Sequence, residues 1–212
     1  MGFDWTVLSS CVSAAAAVVA LFLSGRQIRL SNKQALFDRR ISIWLVTKGL
    51  LELYRKSEHN LATRNEGPQF ALDQDYAWLT SNTFLCEAGP AANHPLEAEY
   101  QKLLLIKLEE LKRLALEARL VFKGSPSEVI SGFLLDYQEL LFAIYRYQIL
   151  IVNVKKNADQ FNWSLERSCE EVGEPARREE LFAAFDAVAA SYGVLNEDKM
   201  LATVEKQIRL AR

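Results

Sequence analysis

An uncharged run of 19 residues near the N-terminus, Trp5–Leu23, constrains this chain more than any other feature. As an α-helix the run would be about 28 Å long, close to the ~30 Å hydrocarbon core of a bilayer. A cleaved signal peptide is one alternative, but such a peptide needs a basic region before its apolar run, and only Asp4 is charged there. A buried core helix is the other alternative. We therefore predict that residues 1–25 form a transmembrane anchor.

The residues after the run predict how the chain is oriented. Segment 26–56 holds eight basic and two acidic side chains, a balance of +6, and helical spacing of its apolar residues predicts one basic juxtamembrane helix. By the positive-inside rule, we expect the N-terminus to lie outside the membrane and the rest of the chain to be cytoplasmic. The candidate membrane-surface residues, which would contact anionic lipid or would only determine topology, are Arg26, Arg29, Lys33, Arg39 and Arg40.

Small residues recur within the predicted anchor. Small side chains at four-residue spacing let two helices approach closely in lipid, so they predict a homo-oligomer, although Ala and Ser could also serve only as mildly apolar filler. The candidate packing residues are Ser9, Ser13, Ala16, Ala17 and Ala20.

Residues 57–212 predict a cytosolic antiparallel bundle of about five or six helices, so the fold class is all-α. Leu104, Leu108, Leu111, Ala115 and Ala118 follow 4-3-4-3 spacing, which is typical of a helix with one packed face. Gly124 is expected to end that helix, and a capping box over 125–128 should begin the next. That helix should be the buried centre of the bundle, ending near residue 156. Further helices are expected over 69–86, 157–172, 175–192 and 197–212, with a loop over 88–95.

Two phrases carry a resemblance to known proteins. LFDRRISIW, residues 36–44, and EARLVF, residues 117–122, are similar to motifs in a group of uncharacterised bacterial proteins with one N-terminal membrane helix. The resemblance spans about residues 5–150. It implies a single-pass protein of the bacterial inner (plasma) membrane with a cytosolic helical domain, and it implies no activity and no catalytic residues.

Catalytic and ligand-binding patterns are absent from the sequence. No metal-ligand spacing, phosphate-binding glycine loop or nucleophile motif occurs, so we predict no enzyme activity, metal or cofactor. Residues 57–212 carry 17 basic and 24 acidic side chains, which argues against nucleic acid as a partner. Arg146, on the most apolar helix, needs a partner from another helix or access to water. Asp73 and Asp75, beside Tyr76, could form an acidic-aromatic pocket.

Three functional hypotheses follow from these observations. The first is a membrane-anchored, self-associating interaction, sensing or effector protein without catalytic activity, with membrane lipid and a protein as partners. The second is an effector whose oligomerised spans disrupt the membrane by forming a pore or lesion. The third is an enzyme with an unrecognised helical active site, which would require a deep polar pocket near Arg146 or Asp73.

Overall fold

The computed structural model describes residues 5–64 and 67–209, with side chains from residue 16 onward. The described residues are helical and contain no strand, which confirms the all-α prediction. The elements are α1 (Trp5–Ala62), α2 (Leu72–Leu79), a 3-10 helix (Cys86–Ala92), α3 (Ala98–Val121), α4 (Ser125–Phe161), α5 (Leu165–Glu171), α6 (Glu174–Leu195) and α7 (Asp198–Ile208).

α1 is one continuous helix of 58 residues, about 87 Å long at 1.5 Å per residue. It contains no proline, and its two glycines, Gly25 and Gly49, do not break it. Every side chain over residues 16–36 is exposed, whereas the chain over 43–61 buries one face in the bundle. The helical bundle therefore begins inside the segment 26–56 and not at residue 57. The buried face follows 4-3-4-3-4 spacing through Ile43, Thr47, Leu50, Tyr54, Ser57 and Leu61.

α3 and α4 form a helical hairpin, and all five apolar residues of the α3 repeat are buried as predicted. The capping-box prediction was wrong. α4 begins one residue earlier than expected, so Gly124 occupies the N-cap position at φ 65°, a conformation that favours glycine. Ser125 is therefore inside the helix, and its hydroxyl makes no cap; instead the Ser127 hydroxyl donates to the Gly124 carbonyl at 2.7 Å.

α4 is the central helix of the bundle, as its apolar sequence predicted, and it packs against α3, α6, α5 and α2. It is longer than expected, because nothing breaks it before Asn162, which adopts the left-handed conformation at φ 48°. Asn tolerates that conformation better than most residues. α5 is correspondingly shorter than the predicted helix over 157–172. α6 starts after Gly173, which has φ 71°, and runs back along α4.

The region between α1 and α3 differs most from the sequence expectation. The helix expected over 69–86 is reduced to the eight residues of α2, and the expected loop over 88–95 is mostly a 3-10 helix. That helix buries Ala88, Ala91 and Ala92. These three small side chains give no strong periodic signal in the sequence, although they let the backbone of the 3-10 helix lie close to α3.

Candidate membrane-facing and polar sites

The exposed half of α1 extends beyond the end of the bundle and carries uncovered apolar side chains. Leu21 is 74% exposed and Phe22 is 71% exposed, and Val18, Val19 and Leu23 are similarly open. Contiguous exposed apolar surface of this kind marks a membrane or protein interaction site. Over the part of the chain that the structure describes, no helix reaches the length and hydropathy that a membrane crossing needs.

The five candidate membrane-surface residues fall into two groups. Arg26, Arg29 and Lys33 are exposed on α1 before the bundle begins, and they form no ion pair with any described residue. Arg39 and Arg40 are half-buried and bind the bundle. The structure therefore leaves the first three residues open to a membrane surface, and contact of all five with lipid stays a prediction.

Arg40 joins α1 to the C-terminal ends of two other helices, α3 and α7. Its Nε donates to the carbonyl of Val121 at 2.6 Å, and its Nη1 donates to the carbonyl of Gln207 at 3.0 Å. These carbonyls lie at the C-terminal ends of α3 and α7, where carbonyl groups lack partners within their own helix. The guanidinium also lies 5.9 Å from the ring centroid of Phe122. Burial lowers the pKa of Arg40. The neighbouring Arg39 pairs with Glu117 of α3.

The candidate packing residues lie on the same projecting half of α1. Ala16, Ala17 and Ala20 are exposed and make no contact with the bundle. The side chains of Ser9 and Ser13 lie outside the described residues.

Arg146 has the partner that its position on α4 predicted. Its Nη2 donates to Glu180 of α6 at 3.0 Å, and its guanidinium lies 5.0 Å from the ring centroid of Phe142. Arg177 donates to the same carboxylate oxygen of Glu180 at 2.6 Å. The side chain of Arg146 is about one-third exposed, so its stem covers apolar surface while its head reaches the bundle surface.

Sequence reasoning missed a buried polar network one residue further along α4. The Tyr147 hydroxyl donates to Glu174 at 2.5 Å and accepts from the backbone N–H of Gln69 at 3.0 Å. Glu174 is 1% exposed, and Arg178 lies 3.7 Å from its carboxylate. Burial and the hydrogen bond to Glu174 raise the pKa of Tyr147 well above its usual value. This network holds the chain after α1 to α4 and α6.

Nothing in the sequence around Glu174 distinguishes it from the exposed glutamates of the same helix. The network is buried and its hydrogen bonds are internal. The neutral phenol of Tyr147 donates to the Glu174 carboxylate and Arg178 lies beside it, so these groups stabilise the fold by satisfying one buried charge.

Asp73, Asp75 and Tyr76 do not combine into an acidic-aromatic pocket. Asp75 accepts from Asn60 of α1 at 3.0 Å, and burial raises its pKa. Tyr76 points the other way into the core, where its hydroxyl donates to the Ala88 carbonyl at 3.2 Å. The two side chains thus tie α2 to different neighbours.

An open groove of about 800 Å³ lies between α3 and α4. Leu105, Ile106, Leu116 and Phe142 form its apolar surface, and charged residues of α3 form its rim. The described residues contain no group of three or more His, Cys, Asp or Glu side chains that could hold a metal ion.

Comparisons of this chain with protein-family models, with curated proteins and with solved structures find no match. The resemblance to bacterial single-pass membrane proteins therefore stays a prediction. Function has to be argued from the geometry of the chain itself.

Proposed function

We propose that this chain is a membrane-tethered helical interaction protein of the bacterial inner membrane. The single observation that carries the proposal is the contrast within α1, whose second half is in the core while its first half projects with uncovered apolar side chains. In this proposal the apolar run from residue 5 to 23 lies in the bilayer. The bundle lies on the cytoplasmic side, and the N-terminus lies outside.

The positions of the basic residues support this arrangement. Arg26, Arg29 and Lys33 follow the apolar run directly and have no ion-pair partner among the described residues. Near a bilayer each would gain about 1 kcal/mol from anionic headgroups. The next acidic residue, Asp38, comes only at the start of the bundle. A free basic segment between an apolar run and an acidic body fits a membrane surface.

The bundle acts as a binding module without catalysis in this proposal, and the chain self-associates. Two polar pairs support a non-catalytic role, because Arg146 binds Glu180 at the bundle surface and Tyr147 binds Glu174 within the core. The open groove between α3 and α4 supports a protein partner, because it leaves apolar side chains uncovered.

A charge placed in the projecting half of α1 tests the proposal. Ala16→Arg puts a charge on an exposed position of α1 two residues from the middle of the apolar run, and such a charge costs about 2.5–3.5 kcal/mol at the centre of a membrane helix. We expect the wild-type full chain to sediment with membranes and to resist alkaline carbonate extraction. We expect the variant to move into the soluble or extracted fraction by about tenfold or more.

Leu96→Arg is the matched control, because Leu96 is 64% exposed but precedes α3 at the bundle. It should fractionate like the wild type. Equal extraction of the wild type and both variants would refute the tether. Dye release from liposomes by the purified full chain would favour the pore-forming alternative instead.

A further inference from the structure

The projecting half of α1 carries an apolar face that repeats every seven residues. Leu23, Leu30 and Phe37 are spaced exactly one heptad apart. A second series, Ala20, Gln27 and Gln34, lies three residues before and four residues after Leu23 and Leu30. Together the two series form the alternating 4-3 pattern of a coiled-coil seam. The seam residues are Ala20, Leu23, Gln27, Leu30, Gln34, Phe37 and Ile41.

From Ala20 to Gln34 this seam is exposed, and Phe37 and Ile41, where the helix reaches the bundle, are half-buried. At 100° per residue it lies roughly opposite the buried face that contains Ile43 and Leu50. Leu30 is 66% exposed, whereas Trp44, the next d position after Phe37, is 8% exposed. A helix that packed on the exposed part of the seam, up to Gln34, would not collide with the bundle.

The charges beside the seam are self-complementary. With Leu23, Leu30 and Phe37 at d positions, Lys33 is at g and Asp38 is at the following e position. In a parallel two-stranded coiled coil, g of one helix lies beside the next e of the other. Lys33 of each copy would therefore lie beside Asp38 of the other, which gives two ion pairs. Both side chains are exposed, and neither pairs with a described residue of its own chain.

We propose that α1 forms a parallel two-stranded coiled coil with α1 of a second copy of this chain, along the exposed part of the seam from residue 20 to 34. The inference rests on the proposed function for its direction, because two chains anchored in one membrane must run in parallel. The two bundles then lie on the outer sides of the central pair of helices.

The two glutamines of the seam fix its register. Gln27 and Gln34 occupy a positions, where a buried polar group needs a hydrogen-bond partner. In a parallel, in-register pair each glutamine meets the same glutamine of the other copy, so both amides are satisfied; a slip by one heptad would leave one of them against an apolar residue. In the sequence the 4-3 spacing also continues back through Ala16, Ser13 and Ser9, which places three of the predicted packing residues on this seam.

Cysteine cross-linking of the full chain in membranes tests this seam. Leu30→Cys puts a thiol at a d position, and Ile28→Cys puts one on the opposite side of the helix at nearly the same height; Ile28 is equally exposed in one copy. In both variants Cys11 and Cys86 are replaced by serine. Under mild oxidation we expect a disulfide-linked dimer from Leu30→Cys and at least several-fold less from Ile28→Cys. Equal yields from the two positions would overturn the proposal.

Charge reversal provides an independent second test in the Leu30→Cys background. Lys33→Glu alone, or Asp38→Lys alone, places like charges opposite each other and should lower the dimer yield several-fold. The double variant restores opposite charges and should recover the original yield. Failure of the double variant to recover would overturn the register. The membrane pellet is measured in the same samples, so a lost tether with intact cross-linking is distinguishable from a lost coiled coil.

Discussion

The two halves of α1 have similar apolar content but opposite surroundings. Between residues 43 and 61 the apolar face is covered by α2, α3, α6 and α7, and the side chains of Ile43 and Leu50 are fully buried. Between residues 16 and 36 nothing in the described chain covers the helix. Apolar periodicity thus shows that a helix needs a partner surface, but only the rest of the structure shows whether the chain supplies that surface itself.

The largest expected contrast comes from truncating one apolar side chain in each half. Leu50→Ala removes a fully buried side chain and leaves a cavity, so we expect a loss of about 2–5 kcal/mol in the free energy of unfolding. Ile28→Ala, in the exposed half, should change it by no more than about 0.5 kcal/mol. Urea unfolding of the full chain in detergent measures both values. Similar losses from the two variants would mean that the projecting half packs on the bundle.

The basic residues offer a second, smaller contrast. Arg40→Gln removes charge-assisted hydrogen bonds to two helix ends, and we expect it to cost about 1.5–3 kcal/mol of stability. Arg29→Gln should leave stability unchanged and should instead weaken binding of the full chain to anionic vesicles. Unfolding and vesicle flotation, measured on both variants, separate the two roles. If Arg29→Gln destabilised the fold as much as Arg40→Gln did, the division of the basic segment would be wrong.

The smallest expected effect is a pH dependence that belongs to the buried half alone. Burial, and next the charge of Glu58, raise the pKa of Tyr54 from 10.0 to about 12. The folded protein therefore keeps the phenol proton after the unfolded chain has begun to lose it, and Tyr54 lowers stability as pH rises through that window. Tyr54→Phe should reduce the slope of stability against pH by about 1.4 kcal/mol per unit there. An unchanged slope would contradict this assignment.

The sequence predicted the parts of the fold that carry strong periodic signals. The apolar face of α3, the central apolar helix α4 and a helix start close after Gly173 were all predicted, although α4 and α6 extend beyond the predicted bounds. These elements were predictable because each has a continuous apolar face or a glycine with positive φ at its boundary. The need of Arg146 for a partner on another helix followed from the apolar surroundings of that residue.

The remaining features depend on contacts between distant segments. Arg40 resembles its basic neighbours in the sequence, and only the arrival of the C-terminal ends of α3 and α7 separates it from Arg29. Glu174 and Tyr147 are 27 positions apart, and their bond depends on the way α6 runs back along α4. The 3-10 helix from Cys86 to Ala92 lacks the long apolar stripe that reveals a helix in a sequence.

Thiol labelling along α1 tests the central claim, that one helix passes from the bilayer into the bundle. Val18→Cys and Ile28→Cys place thiols at sites that are similarly exposed, 66% and 60%, in the isolated chain. Both are made with Cys11 and Cys86 replaced by serine. Sealed inside-out membrane vesicles, whose outer surface is the cytoplasmic face, are treated with a membrane-impermeant maleimide. The account predicts rapid labelling at position 28 and protection at position 18. Equally rapid labelling at both positions would contradict it.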